Sequence, residues 1–195
     1  MKLGVLADVR GGQLSQGDPA RATLTDTAYR ALQVGDLAPD GSVAWPTLRM
    51  VVPAGSWKRS VIQNGDVLIP LRSTKVTAIV AQNVPPQTIA LGHWAIITTG
   101  PTLLPEYLAW FLSHPTTARQ WRLAEVGSNI AFVPLSAVRE LEIELPPLDV
   151  QERIVSVDAL HRRLGELERQ LTDTRNRYVH QITRAALDRA ANSND

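Results

Sequence analysis

Residues 127–154 read Gly127-Ser128-Asn129-Ile130-Ala131-Phe132-Val133-Pro134-Leu135-Ser136-Ala137-Val138-Arg139-Glu140-Leu141-Glu142-Ile143-Glu144-Leu145-Pro146-Pro147-Leu148-Asp149-Val150-Gln151-Glu152-Arg153-Ile154, and the fold turns on them. Leu141, Ile143 and Leu145 alternate with Glu140, Glu142 and Glu144, the period-two pattern of a half-buried strand with one wet face. Pro146 and Pro147 have no N–H to donate to a ladder and bias their predecessors away from helix, so the strand must stop there. Asp149 then precedes an uninterrupted helical pattern, where a carboxylate satisfies free amides and suits the positive end of the helix dipole. The stretch is a stiff elbow between a globular part and one long helix.

Working forward, the period stays helical. Val150, Val157, Leu164, Leu171, Tyr178 and Ala185 fall at one seam position of a seven-residue repeat. Arg153, Leu160, Leu167, Thr174 and Gln181 fall at the other. Ile154 and Ile182 widen the apolar face at its ends. The outward positions are densely charged (Arg162, Arg163, Glu166, Arg169, Asp173, Arg175, Arg177), as a solvated face should be. Some forty residues of helix extend roughly 60 Å, more than one domain covers. An amphipathic helix folded back on its own domain is the plainer alternative. Gly165 costs about 1 kcal/mol against alanine and marks either close helix approach or a slight bend.

Working backward, the first 145 residues read as short strands punctuated by turns. Tyr29–Val34, Val67–Leu71, Val76–Ala81 and Trp94–Thr99 are the strand candidates, rich in β-branched and large apolar residues. Gly11-Gly12, Pro39-Asp40-Gly41, Asn64-Gly65-Asp66 and Pro85-Pro86 are the turn signals between them. Residues 10–28, polar and rich in Gly, Ser, Thr and Asp, read as a long surface loop. Pro105 suits a first helical turn, with Tyr107, Leu108, Phe111 and Leu112 as an apolar stripe ending near His114-Pro115. A second helix is expected from Thr116 to about Glu125, closed by Gly127, with Ala118, Trp121 and Leu123 or Ala124 facing inward. The fold class is α+β, and Trp94, Trp110 and Trp121 are read as core.

The chain of 195 residues is 44% hydrophobic, enough for a sizeable core. Twenty basic residues against nineteen acidic ones leave a net charge of +1. Residues 1–149 hold 12 of each sign, and residues 150–195 hold 8 basic and 7 acidic. Bulk charge therefore does not announce a nucleic-acid binder, and any such surface must be local. There is no cysteine, so disulfides and the usual zinc fingers are excluded. No apolar run reaches the length of a membrane span and no signal-peptide core follows Met1, so the expected location is the cytoplasm.

Catalysis is not expected, and no metal or cofactor is called for. Asn83-Val84-Pro85-Pro86-Gln87 superficially matches the Asn-Pro-Pro-aromatic loop of amino-group methyltransferases, but valine intrudes and no aromatic follows to stack on a flipped base. His93, His114, His161 and His180 lack metal-ligand spacing. His93 is read as a core or sheet residue, and His161 and His180 as helix positions. Neither a nucleophile elbow nor a phosphate loop is present. Glu140, Glu142 and Glu144 read as a solvated strand face.

Gly127-Ser128-Asn129-Ile130, the Leu135-Ser136 run, the apolar strand, Pro146-Pro147-Leu148 and Gln151 with Ile154 together resemble the specificity subunit of type I restriction-modification systems. Asn64–Ile69 with Arg72-Ser73, and Leu104–Leu108, resemble the target recognition domain of the same family. The resemblance covers nearly the whole chain. It departs in one respect: such subunits usually carry two recognition domains and two long helices, and this chain, with no internal repeat, has one of each, as a half-sized member would. It implies a target recognition domain over 1–148, a helix for dimerisation and partner docking over 149–190 and a disordered tail over 191–195. It also implies double-stranded DNA and a methyltransferase (modification) subunit as partners, with or without a restriction motor, and pairing with itself or with another half-sized chain.

On that reading, DNA contacts divide between groups that hold phosphates and bidentate side chains that discriminate bases. The candidates cluster on loops: Arg10 and Gln13; Lys58 and Arg59 with Ser60; Arg72, Ser73, Thr74 and Lys75; Ser128 and Asn129. The third cluster is preferred, because two cations and two hydroxyls follow directly on a rigid apolar strand. The plainer reading of each is a solvated loop charge, and for residues 127–129 a helix cap and turn. Val157, Leu160, Leu164, Leu167, Leu171 and Tyr178 are the expected pairing residues. The rival reading is a coiled-coil scaffold or interaction module that never meets DNA, favoured by the near-zero net charge. A small hydrolase using His93 or His114 lacks a positioned nucleophile and orienting acid.

Overall fold

The computed structural model describes residues 1–14, 28–38, 40–53, 57–72, 77–127 and 132–192, without the side chains of 116 and 185–192. Its chain divides into two units, Met1–Glu152 and Arg153–Asp195.

Within the first unit the alternation over 140–145 sorts burial as expected but builds no strand. Leu141 and Ile143 are buried and Glu140, Glu142 and Glu144 are exposed. Only Glu142 pairs, in an isolated antiparallel bridge with Lys2. The expected strand is therefore an extended elbow, tied by Leu3 N–H to Leu141 O and Ile143 N–H to Met1 O.

Four strands form an antiparallel sheet in the order β1-β7-β4-β5: β1 Ala7–Gly11, β7 Trp94–Thr99, β4 Val67–Pro70 and β5 Ile79–Val80. Ile96 and Ile97, on opposite faces of β7, are both fully buried, so both faces of this sheet are covered. A second sheet, β3-β2-β6, joins β2 Tyr29–Leu32 antiparallel to β3 Met50–Val51 and parallel to β6 Thr88–Ala90. Leu32, Ala90, Leu68, Trp94 and Ile96 from the two sheets share one core with Trp45 and Leu48. Strand β1 and the Gln13–Leu91 bridge occupy the start of the expected 10–28 loop, of which residues 15–27 lie outside the described residues.

The helices of this unit are α1 Leu3–Leu6, α2 Pro105–Ser113, α3 Pro115–Ala124 and α4 Leu135–Glu140. In α2 the stripe Tyr107, Leu108, Phe111 and Leu112 is buried as its spacing requires, and Trp110 is half-buried beside Tyr107 and Phe111. In α3 Trp121 is buried, and of the two alternatives beyond it Leu123 is 79% exposed while Ala124 is half-buried. Gly127 does not close α3. With φ at 101° it lies three residues further on, after Val126, which bridges Phe132.

Helix α5 runs unbroken over Leu148–Asn192, about 67 Å at 1.5 Å per residue. Asp149 lies inside its first turn and not ahead of it, which still suits the dipole. The helix includes 191 and 192, where a tail was expected, and 193–195 lie outside the described residues.

Candidate nucleic-acid interface

Register places the candidate clusters. Gly11 ends β1 opposite Ala95, and Pro70 ends β4 opposite Trp94, so the last residues of β1 and β4 and the first of β7 meet at one end of the four-stranded sheet. Around that end Gln13 N–H donates to Ala90 O at 2.8 Å and Gly92 N–H to Gln13 O at 2.7 Å. Leu71 N–H donates to His93 O at 2.8 Å, and Val133 N–H to Leu71 O at 3.0 Å. Ser60 Oγ donates to Gly11 O at 3.1 Å. Segments around residues 10–13, 58–60, 72 and 132–133, far apart in sequence, are thus neighbours. Ser73, Thr74, Lys75, Ser128 and Asn129 lie outside the described residues.

Arg10 is not a loop residue. It sits in β1 with its side chain only 14% exposed, paired with Asp66, which is 1% exposed. Its Nη2 donates to both Asp66 oxygens, at 3.0 and 3.1 Å, and to Thr98 Oγ1 at 2.8 Å, while Nη1 donates to Val61 O at 3.2 Å. Nε lies 3.4 Å from Asp8 Oδ2 without a hydrogen-bond geometry. By contrast Lys58 and Arg59 are exposed on a 3₁₀ turn, Lys58–Ser60, whose third residue is buried.

Arg72 is exposed and its guanidinium lies 5.8 Å from the centroid of the Phe132 ring, within cation–π reach. His93 stands just before β7, not in it, with its ring 6.4 Å from Phe132. Burial, and secondarily the charge of Arg72, hold its pKa below the ordinary imidazole value. That Asp66, His93 and Phe132 meet Arg10 and Arg72 here is not legible in the sequence. Asp66 carries a faint signal, a lone acid opening the apolar run Val67–Ile69, and the other two carry none.

The opposite end of the same sheet carries the elbow. Gly100 N–H donates to Leu6 O at 2.9 Å and Tyr107 Oη to Glu144 O at 2.8 Å. Gln151, fully buried, accepts from Leu104 N–H through Oε1 and donates through Nε2 to Thr102 O and Pro146 O, at 2.8 to 2.9 Å. Exposed Glu140, Glu142, Glu144 and Asp149 make this end acidic, with Glu140 paired to Lys2. Among the described residues the first unit therefore carries exposed Lys58, Arg59 and Arg72 at one sheet end and these acids at the other, although residues 1–149 hold 12 charges of each sign. Among the described residues no three His, Asp or Glu side chains group as a metal site, and no helix is long and apolar enough to cross a membrane.

Along α5, Val157, Leu160, Leu164, Leu167, Leu171 and Tyr178 are between 46% and 71% exposed. Among the described residues the charged positions between them form local ion pairs, Arg162 with Asp158 and Arg163 with Glu166. Each such pair contributes a few tenths of a kcal/mol, so roughly 1.5–3 kcal/mol per apolar side chain on burial is the larger available term.

An α+β head of two sheets followed by a long C-terminal helix is a fold shared with solved type I restriction-modification specificity subunits. Solved structures bear that likeness out. The HsdS subunit of Thermoanaerobacter tengcongensis superposes with a TM-score of 0.57 at 22% identity, over 87% of this chain and 38% of that one. A chain from a structure describing complex assembly and conformational transition of the type I R-M system matches with a TM-score of 0.57 at 20% identity, over 89% and 40%. The type I restriction-modification S subunit of M. genitalium matches with a TM-score of 0.54 at 12% identity, over 86% and 40%. This chain thus spans about two fifths of the length of the solved chains it matches. No protein-family model and no curated protein matches the sequence.

Proposed function

We propose that this chain is a DNA-recognition unit of a type I restriction-modification system, non-catalytic and cytoplasmic. Residues 1–148 read the target, and residues 149–190 pair with the long helix of a second copy or of another specificity chain. The pair delivers a methyltransferase subunit, and in restricting systems a motor subunit, to a bipartite site. Two-fold pairing predicts an inverted repeat in the DNA, one half read by each head.

The observation that carries the reading is the meeting of the candidate segments at one basic sheet end, in a fold shared with specificity subunits. Near-zero net charge, the main support for a scaffold that never meets DNA, loses its force once the exposed cations Lys58, Arg59 and Arg72 gather at one sheet end, away from the glutamates of the elbow. Phosphate is attracted to one and repelled by the other. The test is co-purification of the full chain from its native host. A specificity unit retains a DNA methyltransferase through a high-salt wash, and recovery of the chain without one, at native abundance, contradicts the assignment.

A further inference from the structure

The Lys58–Ser60 turn is held from three sides. Upstream, Trp57 packs on Tyr29 with ring centroids 4.4 Å apart. Downstream, Ser60 is buried and its Oγ is tied to Gly11 O. Val61, which follows the turn and bridges Ile89 of β6, has its carbonyl fixed by Arg10 Nη1. Arg10 is in turn oriented by Asp66, which also accepts from Gln63 N–H at 2.8 Å and from Thr98 Oγ1. One buried carboxylate therefore sets the arginine and the chain on the far side of the turn together. Three donors meet Asp66, two of them directed through Arg10 and Gln63 to the segment that follows Lys58 and Arg59.

We infer that Arg10 and Asp66 are positioning residues for a phosphate clamp made by Lys58 and Arg59, and that Arg10 itself touches no DNA. This rests on the DNA-recognition reading above and deepens it. Two long cationic side chains on a free loop lose rotamer and backbone freedom on binding, whereas a turn anchored at both flanks has already lost the backbone part. Both terminal nitrogens of Arg10 are engaged internally, so recruiting it to a phosphate would leave Asp66 charged and unpaired in the interior, which is strongly unfavourable.

Direct contact and positioning separate in a double-mutant cycle. The full-length chain is titrated with a labelled mixed-sequence DNA duplex at several salt concentrations, well below each variant's melting temperature. Lys58→Ala with Arg59→Ala is expected to weaken binding and to flatten the logarithmic salt dependence by about 0.9 for each phosphate that is no longer neutralised. Arg10→Ala is expected to weaken binding roughly tenfold in the parent, within the range of coupling between neighbours, and to add nothing in the Lys58→Ala, Arg59→Ala background. Ser60→Ala, which removes one anchor without disturbing any charge, is expected to act in the same direction and to show the same non-additivity. It serves if Arg10→Ala does not fold. Additive losses would make Arg10 a contact and overturn the inference. So would unchanged binding by folded Arg10→Ala or Ser60→Ala, which would leave the network purely structural. An unaltered salt slope in the Lys58→Ala, Arg59→Ala variant, alongside retained DNA binding, removes the clamp while leaving the recognition reading intact; loss of all DNA binding by the parent removes both.

Discussion

Gln151 and Leu104, separated by 47 positions, are joined by a hydrogen bond of 2.9 Å from the Leu104 N–H to the Gln151 side-chain oxygen. Leu104 is the residue from which α2 starts, and Gln151 lies in the first turn of α5. The same amide also donates to Thr102 O and Pro146 O, so its three bonds tie the root of α5 to the start of α2 and to the proline elbow. Glutamine suits the place because one uncharged group must accept once and donate twice.

Gln151→Ala leaves one N–H and two carbonyls without this partner. It is expected to destabilise the head by about 1–3 kcal/mol, the cost of leaving buried polar groups unsatisfied. Gln151→Glu is expected to cost more, since a carboxylate cannot donate to Thr102 O or Pro146 O and brings a charge into a buried site. Urea unfolding followed by tryptophan fluorescence measures both; a change within about 0.5 kcal/mol for either would contradict the clamp.

Arg72 and Lys75 are the cations of the cluster that the sequence reading prefers for DNA contact. Arg72→Ala with Lys75→Ala is expected to lower DNA affinity and to flatten its salt dependence, because fewer counterions are released on binding. An unaltered slope removes this loop from the interface.

His93 has its pKa held below the ordinary 6.5 by burial and by Arg72. The unfolded chain then takes up the proton first. Stability from this group is complete above pH 6.5 and is lost as pH falls from there toward the lowered folded value. His93→Gln is expected to remove that part of the acid destabilisation, read as the melting temperature between neutral and mildly acidic pH. Identical pH profiles for the two proteins would show that His93 titrates alike folded and unfolded.

Leu164 and Leu171 lie one heptad apart on the exposed seam of α5, 54% and 52% exposed. Leu164→Asp with Leu171→Asp is expected to abolish pairing in sedimentation equilibrium while leaving the near-ultraviolet signal of the head unchanged. An unchanged oligomer contradicts pairing through this seam.

What the sequence discloses depends on how local the governing interactions are. Tyr107, Leu108, Phe111 and Leu112 announce α2 because a helix face repeats within one short segment, and the seam leucines announce α5 for the same reason. Val67–Ile69 and Ile96–Ile97 announce β4 and β7 by apolar density alone. Strand β1 stays hidden because Ala7-Asp8-Val9-Arg10-Gly11 carries two charges, and Arg10 is neutralised by Asp66, 56 positions away. Helical spacing allows either Leu123 or Ala124 to turn inward, and only the packing of α3 decides for Ala124. At the sheet end where the candidate segments meet, the residue types are legible, but the hydrogen bond between Val133 and Leu71 that makes two of the segments neighbours is not.

The most direct test of DNA recognition is selection from a pool of random duplexes by the full chain together with its methyltransferase partner. The account predicts enrichment of one motif made of two short half-sites, inverted when the chain pairs with itself, at a fixed spacing. A pool that leaves the selection with no enriched motif contradicts it.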